Sequence, residues 1–402
     1  MDFTFTEEQR AVVEAATSVF AGVAPDGVPS PALTLGAVAE DMDRPLWSGL
    51  ARTDLLSLTL APEHGGAGLD LIALCLVLRE SAKVLARIPL LEGCAVAMVV
   101  QRYGDAALAA ELLPKFGRGE LVLTVGANGR TGHDPAELSV TARRAPLRGT
   151  ATRTGTGTET GTPATATTAE AAGWVLDGVQ SAVPWAQCAD RIAVPAHTAD
   201  GRAVLALVRR THEGVRLAEQ VSTSGERFAE VGLDAVHVDD HELIEAEGAW
   251  EWLRNVLTTG TCALALGLGE SVLAMTSAYT GEREQFGFPV ATFQAVAVQT
   301  ADRYIDLRAM EVTLWQAAWR LSTGADGALP AAGDIAVAKI WASEGVRRVV
   351  QTAQHLHGGI GADTDYPLHR FHAWAKQIEL SLGPAAAHEE ALGDLLAAHA
   401  LG

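Results

Sequence analysis

The sequence predicts an α+β multi-domain protein with a helical N-terminal domain, a middle β domain and a C-terminal four-helix bundle. Three observations carry this. Apolar residues recur at helical spacing through residues 1–122. Over 123–242 the period falls toward two, and over 243–402 long helical stripes return.

In the first zone, Thr6 precedes Glu7, Glu8 and Gln9, the mark of a helix N-cap. Val12, Val13, Ala16, Val19 and Phe20 then follow at helical spacing. Pro62 with Gly65-Gly66 marks a loop, helical text resumes through Leu78 and Val84, and Leu112-Leu113-Pro114 ends a helix. In the second zone Trp174–Leu176, Arg191–Val194, Ala203–Val208 and Ala235–Val238 read as strands, with Asp177-Gly178 and Asp200-Gly201 as turns. A threonine- and glycine-rich tract at about 149–170 has no apolar face to bury and is expected to be a mobile loop. In the third zone Trp250–Thr280, Phe293–Arg320 and Ala331–His355 are predicted helices, the last stopped by Gly358-Gly359. A fourth starts near Pro367 and carries Lys376 and Leu380.

The chain has 402 residues, 48% of them hydrophobic, enough for several domains and a large core. A net charge of −19 with no basic run longer than a pair argues against nucleic acid as a partner. The apolar runs Leu71–Leu78 and Cys262–Leu268 are too short to span a bilayer, so membrane insertion is not expected. The acidic start from Asp2 to Glu8 does not read as a signal peptide. Cys75, Cys94, Cys188 and Cys262 are widely spaced and are expected to be reduced thiols in a cytoplasmic protein. His355, His357, His369 and His372 lie at helix ends without a carboxylate or cysteine set, so no metal site is expected. Gly358-Gly359-Ile360-Gly361 follows a helix rather than a strand, which excludes a dinucleotide fingerprint of the βαβ kind.

Four segments in order carry a family resemblance. They are Pro62-Glu63-His64-Gly65-Gly66, then Leu112–Phe116 with Gly119-Glu120, then Arg283-Glu284-Gln285-Phe286-Gly287 with Phe293-Gln294, then His357–Gly361 with Tyr366-Pro367. Together they resemble the acyl-CoA dehydrogenase family across almost the whole chain. The resemblance implies FAD as cofactor, an acyl-CoA as substrate and an electron-transfer acceptor. It implies α,β-dehydrogenation of the thioester, and a dimer or tetramer. On this pattern Arg283 reaches the FAD pyrophosphate of a neighbouring subunit, a task that suits a guanidinium fork. Gln285, Phe286, Gln294 and His355 would also contact cofactor. Gly358 and Gly359 would let backbone approach it without a Cβ.

The same resemblance exposes departures. The family reaction needs a glutamate base. Its usual position falls on Leu382, and the alternative position falls at or near Leu257 or Thr258. Glu251, Glu270 and Glu379 are the nearest carboxylates, with Glu379 one turn before Leu382 the remaining candidate. Pro184 stands where a flavin-binding donor is usual, and proline has neither hydroxyl nor N–H. Val125–Gly129 replaces a hydroxyl-rich flavin loop, and Pro384 replaces a threonine. The implied reading is a subunit of a hetero-oligomer, an α2β2 assembly whose homologous partner supplies the glutamate, as in relatives that act on steroid side-chain thioesters. The alternatives are a homo-oligomer with another acyl-thioester chemistry, or a scaffold without FAD.

Overall fold

Side-chain caps begin most of the N-terminal helices. A computed structural model describes residues 4–25, 34–39, 41–129, 138–145 and 173–399; the threonine–glycine tract lies outside them. Helix α1 (Glu7–Phe20) starts with a capping box, Gln9 N–H donating to Thr6 Oγ1 and Thr6 N–H to Gln9 Oε1, both at 3.1 Å. Asp43, Asp70 and Asp105 cap α2 (Arg44–Arg52), α3 (Leu71–Lys83) and α5 (Ala106–Gly117), each accepting one backbone N–H. Between α3 and α5 runs α4 (Leu90–Tyr103), most of which is buried. The Pro62 turn needs its glycine: a Cβ on Gly66 would lie 2.1 Å from the Leu60 carbonyl oxygen.

The chain then forms an eight-stranded mixed sheet. Its strands are β1 (Leu123–Val125), β2 (Val140–Arg144), β3 (Gly173–Pro184), β4 (Arg191–Thr198), β5 (Ala203–Arg209), β6 (Val215–Val221), β7 (Arg227–Asp239) and β8 (Leu243–Ile244). The order is β6-β7-β3-β2-β4-β5-β8, with β1 parallel to β4. The β3–β7 register slips between Gln180 and Val183, which lifts Ser181 and Ala182 out of the ladder.

The C-terminal region holds α6 (Ala249–Glu282), α7 (Gln294–Thr323), α8 (Ala331–His357), α9 (Leu368–Leu380) and α10 (Ala385–Ala398). That is one helix more than the apolar periodicity predicts. The left-handed residues Leu382 (φ 58°) and Gly383 (φ 101°), followed by Pro384, end α9 and start α10. Helix α10 buries only Ala385, so no apolar stripe announces it. A two-residue hairpin, β9 (Glu284–Gln285) and β10 (Phe288–Pro289), also joins α6 to α7. Its corner residues Phe286 and Gly287 have φ of 53° and 80°.

Helix α6 is the centre of the bundle. It is long and apolar enough to cross a bilayer, but 78% of its most apolar window is buried inside the protein. Its length is the one the periodicity over Trp250–Thr280 predicts, and it is a core element packed against α3, α7 and α8. Cys75, Cys94 and Cys262 are buried and Cys188 partly so; burial pushes the Cys94 and Cys262 thiols up to about 12.

Candidate functional site

A cavity of about 710 Å³ opens where the helical N-terminal part, the sheet and the C-terminal helices meet. Leu257 of α6, Leu382 after α9, Pro184 at the end of β3, Val125 at the end of β1, and Ala127 and Asn128 after it all line the cavity. The positions that the family pattern assigns to base and flavin donor thus converge in space. Thr258, the alternative to Leu257, is buried in α6 outside the lining.

Leu382 is held in place from three directions. Its carbonyl accepts from His388 Nε2 at 2.9 Å, assigning the imidazole proton to that nitrogen. Ser381 N–H and Oγ donate to the Gln377 carbonyl at 3.0 and 2.8 Å. Lys339, fully buried in α8, donates to the Glu379 carbonyl at 3.0 Å and to Ser343 Oγ at 2.7 Å. Glu379 does not line the cavity; its carboxylate pairs with Lys376 at 2.8 Å. The cavity wall near Leu382 therefore holds no carboxylate from α9.

The sheet side is equally engaged. Ser181 N–H donates to the Asn128 carbonyl at 3.0 Å, and Ala182 N–H to Gln220 Oε1 at 2.8 Å. The Pro184 carbonyl accepts from Thr124 Oγ1 at 2.6 Å. Ala182 and Trp185 both have left-handed backbone, φ 49° and 58°. With Pro184 lacking an N–H and the amides of Ser181 and Ala182 bonded internally, these three residues offer a flavin no backbone donor.

One lining residue escaped the sequence reading: Glu92, in the first turn of α4. Burial pushes its carboxyl up to about 7, partly opposed by its own backbone N–H and by a hydrogen bond with the Trp185 side chain. An acidic residue inside the apolar run Leu90-Leu91-Glu92-Gly93-Cys94 was the signal available.

The signature residues form a second, separate group. Residues Gly281 to Phe288 are all exposed, and so are Gln294, His355, Gly358 and Gly359. None of Arg283, Gln285, Phe286, Gln294, His355, Gly358 or Gly359 lines the cavity. Among the described residues no carboxylate pairs with Arg283, and Phe286 is 91% exposed. A Cβ on Gly358 or Gly359 would meet nothing within 4 Å inside this chain. What requires glycine at 358 is its φ of 63° with ψ of −134°. His357 braces the turn: its ring stacks on Tyr279 at 4.5 Å and bonds Tyr366 Oη at 3.0 Å. Gln354 Nε2 donates to the Gly358 carbonyl at 3.1 Å, while His355 faces outward. This edge offers an unpaired guanidinium, carboxamides and open backbone, which fits the phosphates and base of a dinucleotide held by another subunit.

Helical flanks, a central sheet and this edge define an acyl-CoA dehydrogenase fold. Residues 6–120 match the model of the acyl-CoA dehydrogenase N-terminal domain, and residues 254–396 that of the C-terminal domain. The acyl-CoA dehydrogenase FadE27 of Mycobacterium tuberculosis is 31% identical over 99% of both chains. Among solved structures, the ChsE4–ChsE5 complex from Mycobacterium tuberculosis superposes with a TM-score of 0.84 at 32% identity over 99% of each chain. The Tcur3481–Tcur3483 steroid ACAD gives a TM-score of 0.83 at 34% identity over 98% of each. The chain belongs to the acyl-CoA dehydrogenase family of oxidoreductases.

Proposed function

We propose that this chain is one subunit of a hetero-oligomeric, FAD-dependent acyl-CoA dehydrogenase whose homologous partner supplies the catalytic carboxylate. One observation carries the reading. The usual base position, Leu382, and the alternative at or near Leu257 or Thr258 carry no carboxylate, and both leucines line one cavity, while Arg283, Gln294 and His355 are exposed elsewhere. A carboxylate is needed to take the α-proton of a thioester, and leucine cannot take it. FAD, held in the partner, would supply the acceptor for the hydride of the β-carbon. Arg283 would neutralise its pyrophosphate, Gln285, Gln294 and His355 would hydrogen-bond its polar edge, and Phe286 would cover it. The two structural relatives at 32% and 34% identity are two-component assemblies, one of them a steroid enzyme, which supports a partner subunit and a bulky, sterol-derived acyl group.

The test is co-expression with a homologous chain that carries the glutamate. We expect one FAD per pair of unlike chains, acyl-CoA oxidation by the complex only, and at least about tenfold weaker FAD retention in Arg283→Ala, the loss of a charge-assisted contact. A lone chain that purifies with one FAD each and oxidises an acyl-CoA would overturn the reading.

A further inference from the structure

The cofactor edge is assembled from two elements that are distant in sequence: Arg283 ends α6 and Gly358 ends α8. Three aromatic side chains join them, and none of the three lines the cavity. His357, the last residue of α8, is buried between Tyr279 of α6 and Tyr366 of the segment that leads into α9. Its ring is nearly parallel to Tyr279, 16° apart with centroids at 4.5 Å, and tilted by 46° to Tyr366 at 5.3 Å. The Ala353 carbonyl oxygen lies 2.8 Å from its Nδ1. A carbonyl only accepts, so Nδ1 carries the proton, and Nε2 of the neutral ring accepts from the Tyr366 hydroxyl at 3.0 Å. Burial draws His357 below its ordinary value, which favours that neutral ring. Both ring nitrogens and one ring face are thus engaged, and the imidazole is fixed in rotation and in tilt.

Each contact leads to the cofactor edge. The Tyr279 carbonyl accepts from Arg283 N–H at 2.9 Å, so the stack on Tyr279 holds the last turn before the guanidinium. Gly358 follows His357 directly, and its N–H donates to the Gln354 carbonyl while φ is 63°. Tyr366 is anchored in turn, its carbonyl accepting from His369 Nδ1 at 2.8 Å. We propose that His357 is the positioning residue of this edge: it fixes the Arg283 guanidinium relative to the open backbone at Gly358 and Gly359, so that both reach one dinucleotide. The inference deepens the reading that Arg283 serves a partner's FAD, and rests on it.

A double-mutant cycle tests this on the co-expressed complex, stripped of flavin and titrated with FAD, with binding read from flavin fluorescence. His357→Ala should weaken FAD binding at least about fivefold, the loss of a stacked ring and a hydrogen bond. In the Arg283→Ala background the same change should cost no more than about twofold, because no guanidinium is left to place. His357→Gln keeps a flat amide against Tyr279 and an acceptor for the Tyr366 hydroxyl, and should bind FAD within about twofold of the parent. If His357→Ala does not assemble, Tyr366→Phe takes its place in the cycle. It removes only the hydroxyl, and its expected loss of about threefold should likewise vanish without Arg283. No loss, the same loss in both backgrounds, or a glutamine variant as weak as the alanine one would overturn this inference and leave the partner-cofactor reading standing. Arg283→Ala that binds FAD as the parent does would overturn that reading, and this inference with it.

Discussion

Lys339 shows how one side chain shapes the cavity from behind. Its ammonium group, fully buried, binds the carbonyls at the C-terminal end of α9 and Ser343 Oγ. Those carbonyls carry the negative end of the helix, so a cation there is favourable. The next residues, Ser381 and Leu382, enter the cavity wall. Burial pulls Lys339 down to about 8, opposed by the nearby Cys262 and Glu379. Between about pH 8 and the ordinary lysine value, the unfolded chain holds a proton that the folded chain has released. Folding therefore gains as pH rises through that window, by up to about 1.4 kcal/mol per unit. Lys339→Met removes both the capping bonds and this titration. We expect the variant to be less stable than the parent by about 1–3 kcal/mol at pH 7. The gap should widen between pH 8 and 10, followed by thermal melting of both proteins. A gap that stays constant or narrows would show that Lys339 does not lose its proton in that range.

Elements are set by where glycine allows close approach. In α6, a Cβ on Gly267 would sit 1.9 Å from the Arg79 carbonyl oxygen of α3, whereas one on Gly281 meets nothing within 4 Å. One substitution in one helix should therefore have opposite signs. Gly267→Ala forces α3 and α6 apart and should cost about 3 kcal/mol or more, as overpacking does. Gly281→Ala should be neutral or gain up to about 1 kcal/mol from helix propensity. Urea denaturation of both variants checks this, and equal effects would mean the helices do not pack as described. The same helix shows what was legible in the sequence. The ends of α6, α7 and α8 fall within a few residues of where periodicity puts them, because each turns an apolar face inward. The four segments of the family pattern also needed no tertiary information. Helix α10 and the Glu284–Pro289 hairpin were not foreseen, since one buries a single alanine and the other lies exposed. Glu92 was missed for the converse reason: its run looks like core, and only the fold shows a carboxyl facing a cavity.

At the scale of the molecule, the surface that needs explaining lies along the hairpin and the outer face of α7. Phe286, Phe288, Val298, Tyr304 and Ile305 are 91%, 61%, 52%, 58% and 63% exposed. Large apolar groups gathered on one surface mark an interface. Arg283 and Gln294 are exposed beside it, so in the proposed assembly a subunit that covers the apolar groups would also bring its bound dinucleotide to the guanidinium. That proposal ties assembly to cofactor retention. Ile305 lies three turns along α7 from Gln294 and is no part of the cofactor edge. Ile305→Ser should therefore weaken association with the homologous partner by about tenfold or more, the effect of losing a buried interface anchor. Flavin should be lost in proportion, although no cofactor contact is removed. The isolated chain should melt within about 0.5 kcal/mol of the parent, because the side chain is mostly exposed in it. Sedimentation velocity, with flavin absorbance followed in the same cell, reads both quantities together. Association that is unchanged while the flavin remains would remove this face from the interface, and with it the assignment of Arg283 to a partner's cofactor.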